Sequence, residues 1–310
     1  MEKTKSVKVI ATLPPLVGHR EEIIGHQLVD ELRFNTIMPI SESPRKTLAR
    51  LKRECGGKRL WVDLKARQLR ITKYAYLPYA YVRLNHRIQV DLPATALFKE
   101  GTATIAAIEN GNKLILADRP EQIVGDGQPI NILSSSLRVE GFFTKRDEQY
   151  ISAAMALDIH DYWLSFFESQ DDADELLKRD PQANIVAKIE SMKGMAFVAA
   201  LSKLDNLRLM AARDDLFINM GQNKPRILKA LKLIIKKDPS AIVASRILTS
   251  LEESDSVSLG DISDLTLMLE FGFRTIMLSD GLCFRRVAFQ AAMRTLDELF
   301  RVLGGIGCRV

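Results

Sequence analysis

Short apolar runs of strand length alternate along the chain with segments in which apolar residues recur at helical spacing. The apolar runs predict eight strands, at residues 7–12, 31–37, 60–64, 162–166, 185–189, 207–212, 241–244 and 275–278. The segments between them predict helices at residues 20–30, 45–54, 147–157, 171–179, 195–203, 225–237, 261–270 and 284–303. Eight strand–helix repeats predict an α/β protein with a (β/α)8 TIM barrel, whose parallel strands are buried on both faces.

The interval 67–143 breaks this rhythm, because it contains short β-type runs and no clear amphipathic helix. Turn signals separate the runs at Asn110-Gly111-Asn112 and Gly125-Asp126-Gly127. A structureless loop of this length is unusual in a compact domain. We therefore predict a small, lid-like β-domain at 67–143, inserted after the third strand of a barrel formed by 1–66 and 144–310.

Composition is that of a soluble globular protein, with 310 residues, 46% apolar content and a mean hydropathy of −0.03. No run is long enough to span a membrane and the first residues lack a signal-peptide centre, so we expect a cytoplasmic protein without a membrane partner. The three cysteines, Cys55, Cys283 and Cys308, are scattered and predict neither a disulfide framework nor a zinc site. The net charge of +5 is mild, and no basic motif interleaved with aromatic residues predicts nucleic-acid binding.

Charged or polar residues follow the apolar part of several predicted barrel strands. They are Arg33 and Asn35 after the second strand, Asp63 and Lys65 at the third, Lys188 and Glu190 at the fifth, Arg213, Asp214 and Asp215 after the sixth, and Ser245 after the seventh. The members of the first three pairs are spaced i and i+2, which places both on one face of their strand. The charged residues of the sixth strand lie on the loop that follows it. The active sites of such barrels lie at the carboxyl ends of the strands, so these residues predict one functional site.

The residue types at these strand ends favour a metal and an anion. Glu190 and Asp215 provide two hard oxygen ligands that suit Mg²⁺ or Mn²⁺, with substrate oxygens and water completing the shell. Lys188, Arg33 and Arg213 would stabilise negative charge on a phosphate or an enolate. The simpler alternative is that these carboxylates only neutralise neighbouring cations at the barrel rim.

The order and spacing of these motifs resemble the pyruvate kinase family over nearly the whole chain. The β-rich insertion has the position of that family's lid domain. The matching motifs are Lys8-Val-Ile-Ala-Thr12, Leu32-Arg-Phe-Asn35, Val62-Asp-Leu-Lys65, Ala187-Lys-Ile-Glu190, Met210-Ala-Ala-Arg-Asp-Asp-Leu216, Val243-Ala-Ser245 and Ile276-Met-Leu-Ser279. The motifs of the fifth and sixth strands are the specific part of the resemblance.

The resemblance implies a role for each candidate residue. Lys188 would stabilise the enolate and the phosphoryl group, Arg33 would bind phosphate, and Ser245 would lie beside the reacting carbon. Glu190 and Asp215 would hold the divalent metal. The remaining roles are substrate binding by Arg213, Asp214, Lys65 and Arg70, and a monovalent-cation (K⁺) site at Asn35 and Asp63.

Several positions depart from the family pattern. Ile37 and Gln68 replace groups at the monovalent-cation site, and we hypothesise that the charge of Arg67 substitutes for the ion. Asp214 and Phe217 replace glycines in the loop that approaches the substrate carboxylate, and an additional anion there would repel it unless it binds metal. Arg246 replaces a glutamine after the seventh strand, and Asp280-Gly281 replaces Gly-Glu after the eighth.

Three functions are compatible with this combination. The first is a divergent pyruvate kinase-like enzyme that transfers a phosphoryl group between phosphoenolpyruvate and a nucleotide (ADP or ATP) through enolpyruvate. The second is a metal-dependent lyase or aldolase that acts on a 2-oxo acid on the same barrel, and the third is an inactive binding protein. We also expect the family's carboxyl-terminal regulatory domain to be absent; the sequence does not predict an oligomeric state.

Overall fold

A computed structural model describes residues 7–75, 80–99, 101–120, 124–204 and 206–303; Cys308 lies outside these ranges. Eight parallel strands form a closed barrel, in the order β1-β16-β15-β14-β13-β12-β3-β2. These strands are β1 (Lys8–Thr12), β2 (Val29–Asn35), β3 (Leu60–Leu64), β12 (Asp161–Leu164), β13 (Asn184–Ile189), β14 (Leu207–Ala212), β15 (Ile242–Ala244) and β16 (Thr275–Leu278). The predicted barrel is confirmed, and each predicted strand coincides with an observed one to within two residues.

The interval between β3 and the third barrel helix forms two antiparallel sheets. The larger has six strands in the order β10-β7-β8-β9-β5-β4, and the smaller pairs β11 with β6. Their bounds are β4 (Ile71–Ala75), β5 (Tyr81–Leu84), β6 (Ile88–Gln89), β7 (Ala94–Leu97), β8 (Thr102–Glu109), β9 (Lys113–Leu116), β10 (Asn131–Leu133) and β11 (Arg138–Val139). Buried side chains that include Ile71, Val82, Ile105 and Leu114 form a core separate from that of the barrel. The inserted β-rich unit is therefore confirmed, whereas its boundaries at 67 and 143 stay a prediction.

Helices surround the barrel strands. Their bounds are α1 (Arg20–Gly25), α2 (Pro44–Glu54), α3 (Lys145–Met155), α4 (Gln170–Leu177), α5 (Met192–Ala200), α6 (Arg213–Asn219), α7 (Ile227–Lys237), α8 (Ser250–Glu253), α9 (Leu259–Glu270), α10 (Asp280–Phe284) and α11 (Arg286–Val302). Within the described residues, no helix has the length and apolar character needed to cross a membrane. The short helices α6, α8 and α10 were not predicted, because one or two turns do not establish a helical period.

Alternating residues on the barrel strands explain why charge collects at one end. Apolar side chains fill the interior of the barrel lower down, including Trp61 on β3 and Val186 on β13. Two residues further along the same strands, the side chains are Asp63 and Lys188. Because a strand repeats its facing every second residue, each of these charges lies directly above an apolar layer. The charged side chains therefore lie at the carboxyl end of the barrel, above its apolar interior.

Candidate active site

Asp63 is the centre of a buried cluster of charges at the carboxyl end of the barrel. Its Oδ2 atom accepts hydrogen bonds from Arg33 Nε and Lys65 Nζ, both at 3.0 Å. Lys188 Nζ lies 3.7 Å from the other oxygen, Oδ1, which accepts no hydrogen bond from the described residues. Burial raises the pKa of Asp63, but Lys188, Lys65 and Arg33 outweigh it and hold the pKa well below its ordinary value. Asp63 is therefore ionised and serves as counter-ion to three strand-end cations.

Lys188 connects Asp63 to the predicted metal ligands. Its ammonium group donates to Ser165 Oγ at 2.8 Å and to Glu190 Oε1 at 3.0 Å. Burial lowers the pKa of Lys188, yet the carboxylates of Asp63 and Glu190 raise it above its ordinary value. Lys188 therefore remains a cation in an almost water-free position, where a fixed charge acts most strongly on an incoming anion.

Glu190 and Asp215 form a pair of carboxylates beside Lys188, of which Glu190 is buried and Asp215 is half-buried. Phe166 donates its backbone N–H to Glu190 Oε2 at 2.6 Å, and Asn131 donates its side-chain amide to Asp215 Oδ1 at 3.3 Å. Burial raises the pKa of both acids, and the charge of Asp215 raises the pKa of Glu190 further. Two mutually repelling carboxylates in such a position lower their energy by sharing a cation.

This donor set fits Mg²⁺ or Mn²⁺. The described part of the chain contains no group of three or more His, Cys, Asp or Glu residues that could hold a metal by themselves. Mg²⁺ sites are commonly built from one or two carboxylates, with substrate oxygens and water as the other ligands. Glu190 and Asp215 supply that minimum, so the site would be complete only with a substrate bound.

The surroundings of Asn35 and Asp63 bear on the predicted monovalent-cation site. The Asp63 carboxylate faces Arg33, Lys65 and Lys188, so a further positive ion would meet three like charges. Asn35 Oδ1 accepts the backbone N–H of Ile37 at 3.3 Å. These contacts disfavour a bound K⁺, and the monovalent-cation site stays a prediction.

Arg67 is not one of those cations, contrary to the hypothesis drawn from the sequence. Its guanidinium group binds both oxygens of Asp172, at 2.5 and 2.6 Å, and packs over the ring of Phe142. Asp172 belongs to the first turn of α4, so Arg67 ties the segment after β3 to that helix.

Lys65 and Arg70 lie on the side of the cluster that faces the insertion. Burial lowers the pKa of Lys65 to about 7, although the carboxylate of Asp63 opposes this shift. The guanidinium group of Arg70 donates to Gln68 Oε1 at 2.7 Å and to the carbonyl oxygen of Gly127 at 2.5 Å. Gln68, which departs from the family pattern, thus positions a cation next to the site.

The loops after β14 and β15 hold the remaining predicted residues. Arg213 Nη2 donates to the carbonyl oxygens of Ser245 and Arg246 at 2.8 and 2.9 Å, and Nη1 binds Asp264 at 2.7 Å. Asp214 is half exposed and pairs with Arg246 at 2.7 Å. The structure therefore places these two side chains outside the buried cluster, and Arg213 supports the loop that carries Ser245.

Positive φ angles mark the same end of the barrel. Ala66, Phe166 and Ser245, which closely follow β3, β12 and β15, have φ values of 43°, 50° and 64°. Non-glycine residues adopt this region at a cost and are concentrated at functional sites. At Phe166 this conformation accompanies the hydrogen bond from the backbone N–H to Glu190.

Three functional neighbours were not predicted from the sequence. Asn219 donates to Asn131 Oδ1 at 3.1 Å and to the carbonyl oxygens of Glu190 and Asp215. Asp280 accepts from Arg33 Nη1 and Asn35 Nδ2, both at 2.6 Å. Asn131 comes from the insertion, and Asn219 and Asp280 come from the unpredicted helices α6 and α10, so only the fold brings them to the site.

A cavity of about 500 Å³ lies between the insertion and the barrel, next to the carboxylate pair. Its walls include Asn131 and Leu133 from the insertion and Phe166, Ser191 and Asn219 from the barrel loops. Most of the lining is apolar, and Asn131, Phe166 and Asn219 also contact Glu190 or Asp215. A partly apolar ligand bound there would therefore lie close to the predicted metal ligands.

The chain is similar to known proteins in sequence and in structure, although no protein-family model matches it. A pyruvate kinase from Thermoplasma acidophilum is 24% identical over 322 residues, which cover 94% of this chain and 57% of that protein. The chain thus spans little more than half the length of this relative. The crystal structure of Cryptosporidium parvum pyruvate kinase matches with a TM-score of 0.71 and 14% identity, covering 99% of this chain and 75% of that one. The structural similarity shows a shared fold, and together the two similarities support a divergent pyruvate kinase-like family for this chain.

Proposed function

We propose that the protein is a divergent pyruvate kinase-like phosphotransferase. In this proposal it moves a phosphoryl group between phosphoenolpyruvate and a nucleotide, through enolpyruvate, in the cytoplasm. The observation that carries the proposal is the position of the Lys188 ammonium group, buried 3.0 Å from Glu190 and 3.7 Å from Asp63 at the carboxyl end of the barrel. A fixed cation stabilises an enolate when it lies beside carboxylates that suit a divalent metal, here Glu190 and Asp215.

The proposed roles follow from the contacts of each residue. Glu190 and Asp215 would hold Mg²⁺ or Mn²⁺, which when bound supplies a Lewis acid for the enolate oxygen and the phosphoryl group. Lys188 faces the same oxygen and stabilises the negative charge that develops on it. Ser245, which follows β15, would lie beside the carbon that gains or loses a proton.

The cationic residues around this pair are proposed to bind the rest of the substrate. Arg33 would receive the phosphate, and Lys65 and Arg70 would add positive charge on the side of the insertion. Arg213 acts through the Ser245 loop, and Asp214 acts through Arg246. We assign the nucleotide to the 500 Å³ cavity, with residues 67–143 as the lid that covers it.

A second function, a metal-dependent lyase or aldolase reaction on a 2-oxo acid, is favoured by one specific observation. The carboxylate of Asp280 already occupies the donors of Arg33 and Asn35. Such a reaction needs a metal and Lys188 to stabilise the enolate, but it needs neither a phosphate site nor a nucleotide.

The test is to incubate purified protein with Mn²⁺ or Mg²⁺, phosphoenolpyruvate and ADP, and to follow pyruvate and ATP with and without K⁺. We expect metal-dependent turnover that is independent of K⁺ and falls by about a hundredfold or more in Lys188→Met. The matched control is Lys237→Met, because Lys237 donates to the backbone carbonyl oxygen of Leu201 at the end of α7 and lies outside both the charge cluster and the cavity.

Other outcomes separate the alternatives. Cleavage of a 2-oxo acid without ATP formation would overturn phosphoryl transfer and leave the lyase. Ligand binding without any product would point to a binding protein, as would a melting temperature that metal does not raise.

A further inference from the structure

Arg33 and Asn35 direct their side-chain donors to one carboxylate, that of Asp280. The distances are 2.6 Å from Arg33 Nη1 to Oδ1 and 2.6 Å from Asn35 Nδ2 to Oδ2. The other nitrogens of Arg33 face Asp63, and Nη1 also donates to Thr12 Oγ1 at 2.9 Å. Both oxygens of Asp280 thus accept hydrogen bonds from Arg33 and Asn35. Without Asp280, these two donors could bind an anionic ligand.

We propose that Asp280 is a specificity-determining residue that acts as an internal anion in the phosphate position. A ligand that carries a phosphate group binds at Arg33 only when it displaces the Asp280 carboxylate. A 2-oxo acid without phosphate binds at Glu190 and Asp215 and leaves Asp280 in place. The nature of these two ligands rests on the proposed function, whereas the competition between Asp280 and phosphate for Arg33 does not.

The surroundings of Asp280 allow this displacement. Its side chain is 34% exposed, whereas that of Asp63, the other partner of Arg33, is fully buried. Asp280 can therefore rotate into solvent without leaving a buried charge unpaired, since Asp63 remains beside Arg33.

The backbone that carries Asp280 is fixed in place. Ser279 caps α10 and hydrogen-bonds to Glu252, and the Cα of Gly281 packs so closely on Glu252 that an added Cβ would lie 2.5 Å from its carboxyl carbon. Displacement consequently involves the side chain of Asp280 and not movement of the helix.

The charges around Arg33 explain why Asp280 matters. The guanidinium group of Arg33 pairs with two carboxylates, those of Asp63 and Asp280. Burial lowers the pKa of Arg33, but Asp280 and Asp63 raise it, so the guanidinium group stays charged. Neutralising Asp280 makes the surroundings of Arg33 more positive by one charge, which favours a multiply charged anion.

The experiment measures the dissociation constants of phosphoenolpyruvate and of oxalate, a dicarboxylate without phosphate, by isothermal titration calorimetry in the presence of Mn²⁺. We compare the full chain with Asp280→Asn and Asp280→Ala, and we use Asp255→Asn as the matched control. Asp255 is an exposed acid that pairs with Arg285 at 2.9 Å outside the cluster. Thermal unfolding of each variant establishes that it is folded.

We expect both Asp280 variants to bind phosphoenolpyruvate at least about tenfold more tightly, with oxalate changed by less than about threefold and Asp255→Asn unchanged. Equal phosphoenolpyruvate affinity in the parent chain and in both variants, or no binding to any of them, would overturn the proposal. An equal gain for oxalate would overturn it too, because the effect would then be general electrostatics. If phosphoenolpyruvate binds as expected but no turnover follows, the proposed function fails while the role of Asp280 stands.

Discussion

Asn131 of the inserted sheet donates its side-chain amide to Asp215 of the barrel, at a distance of 3.3 Å. The side-chain oxygen Oδ1 of Asn131 accepts a hydrogen bond from Asn219, which also donates to the backbone carbonyl oxygens of Glu190 and Asp215. The insertion therefore touches one of the two proposed metal ligands directly. This relationship suggests that the insertion affects metal binding as well as covering the nucleotide.

We predict that Asn131→Ala weakens Mn²⁺ binding about three- to tenfold, because Asp215 loses the amide that orients it. The same change should lower stability by about 2–3 kcal/mol, since the hydrogen bonds to the Asp215 carboxylate and from Asn219 are both lost. Mn²⁺ titration and urea unfolding measure the two effects. Asn112→Ala is the control, because the side chain of Asn112 donates to the backbone carbonyl oxygen of Leu84 within the insertion. Unchanged Mn²⁺ affinity in Asn131→Ala would show that this contact has no role in metal binding.

Asp63→Asn should strongly destabilise the protein. The substitution removes the counter-ion of Arg33, Lys65 and Lys188 while these groups stay buried. Breaking a buried ion pair in this way costs about 3–5 kcal/mol. Urea unfolding would measure the loss, with Asp161→Asn as the control. Asp161 lies 3.6 Å from Arg59, whose side chain is half exposed. A loss below about 1 kcal/mol would mean that Asp63 is not the centre of the cluster.

His160 gives a pH dependence that is independent of the active site. Its Nδ1 atom lies 2.7 Å from the buried carboxylate of Asp180, and this hydrogen bond raises the pKa of His160 above 6.5. Because the folded-state pKa is the higher one, the stabilisation is fully present below pH 6.5 and is lost as the pH rises through the folded-state value. His160→Gln should therefore cost about 1 kcal/mol near pH 5 and little near pH 9, by urea unfolding. A loss that is equal at the two pH values would contradict this sign.

The barrel could be predicted because its signal is local. Each strand is a short apolar run, and the charges spaced i and i+2 at the ends of β3 and β13 contact each other in the structure. Asp63, Lys188, Glu190 and Arg33 were therefore recognisable before the fold was known. The contacts of Arg67 and Asp214 could not be predicted, because their partners are far away in sequence. Arg67 pairs with Asp172 in the first turn of α4, and Asp214 pairs with the exposed Arg246.

The missed residues have a common physical reason. Asn219 and Asp280 lie on α6 and α10, helices of seven and five residues that are too short to show a period. Asn131 is a single polar residue on a strand of three, and only the docking of the insertion brings it to Asp215. Polar residues on such short elements carry no local signal that distinguishes them from ordinary surface residues.

The central claim is that Glu190 and Asp215 hold a divalent metal beside Lys188. Electron paramagnetic resonance of free Mn²⁺ during titration measures this most directly, in the parent chain and in Glu190→Gln and Asp215→Asn, with Asp255→Asn as control. We predict that the parent chain binds one Mn²⁺, more tightly when oxalate is present. Glu190→Gln and Asp215→Asn should each bind Mn²⁺ at least about tenfold more weakly, and Asp255→Asn should bind it as the parent chain does. Equal Mn²⁺ binding in all four proteins, or no binding with oxalate present, would contradict the account.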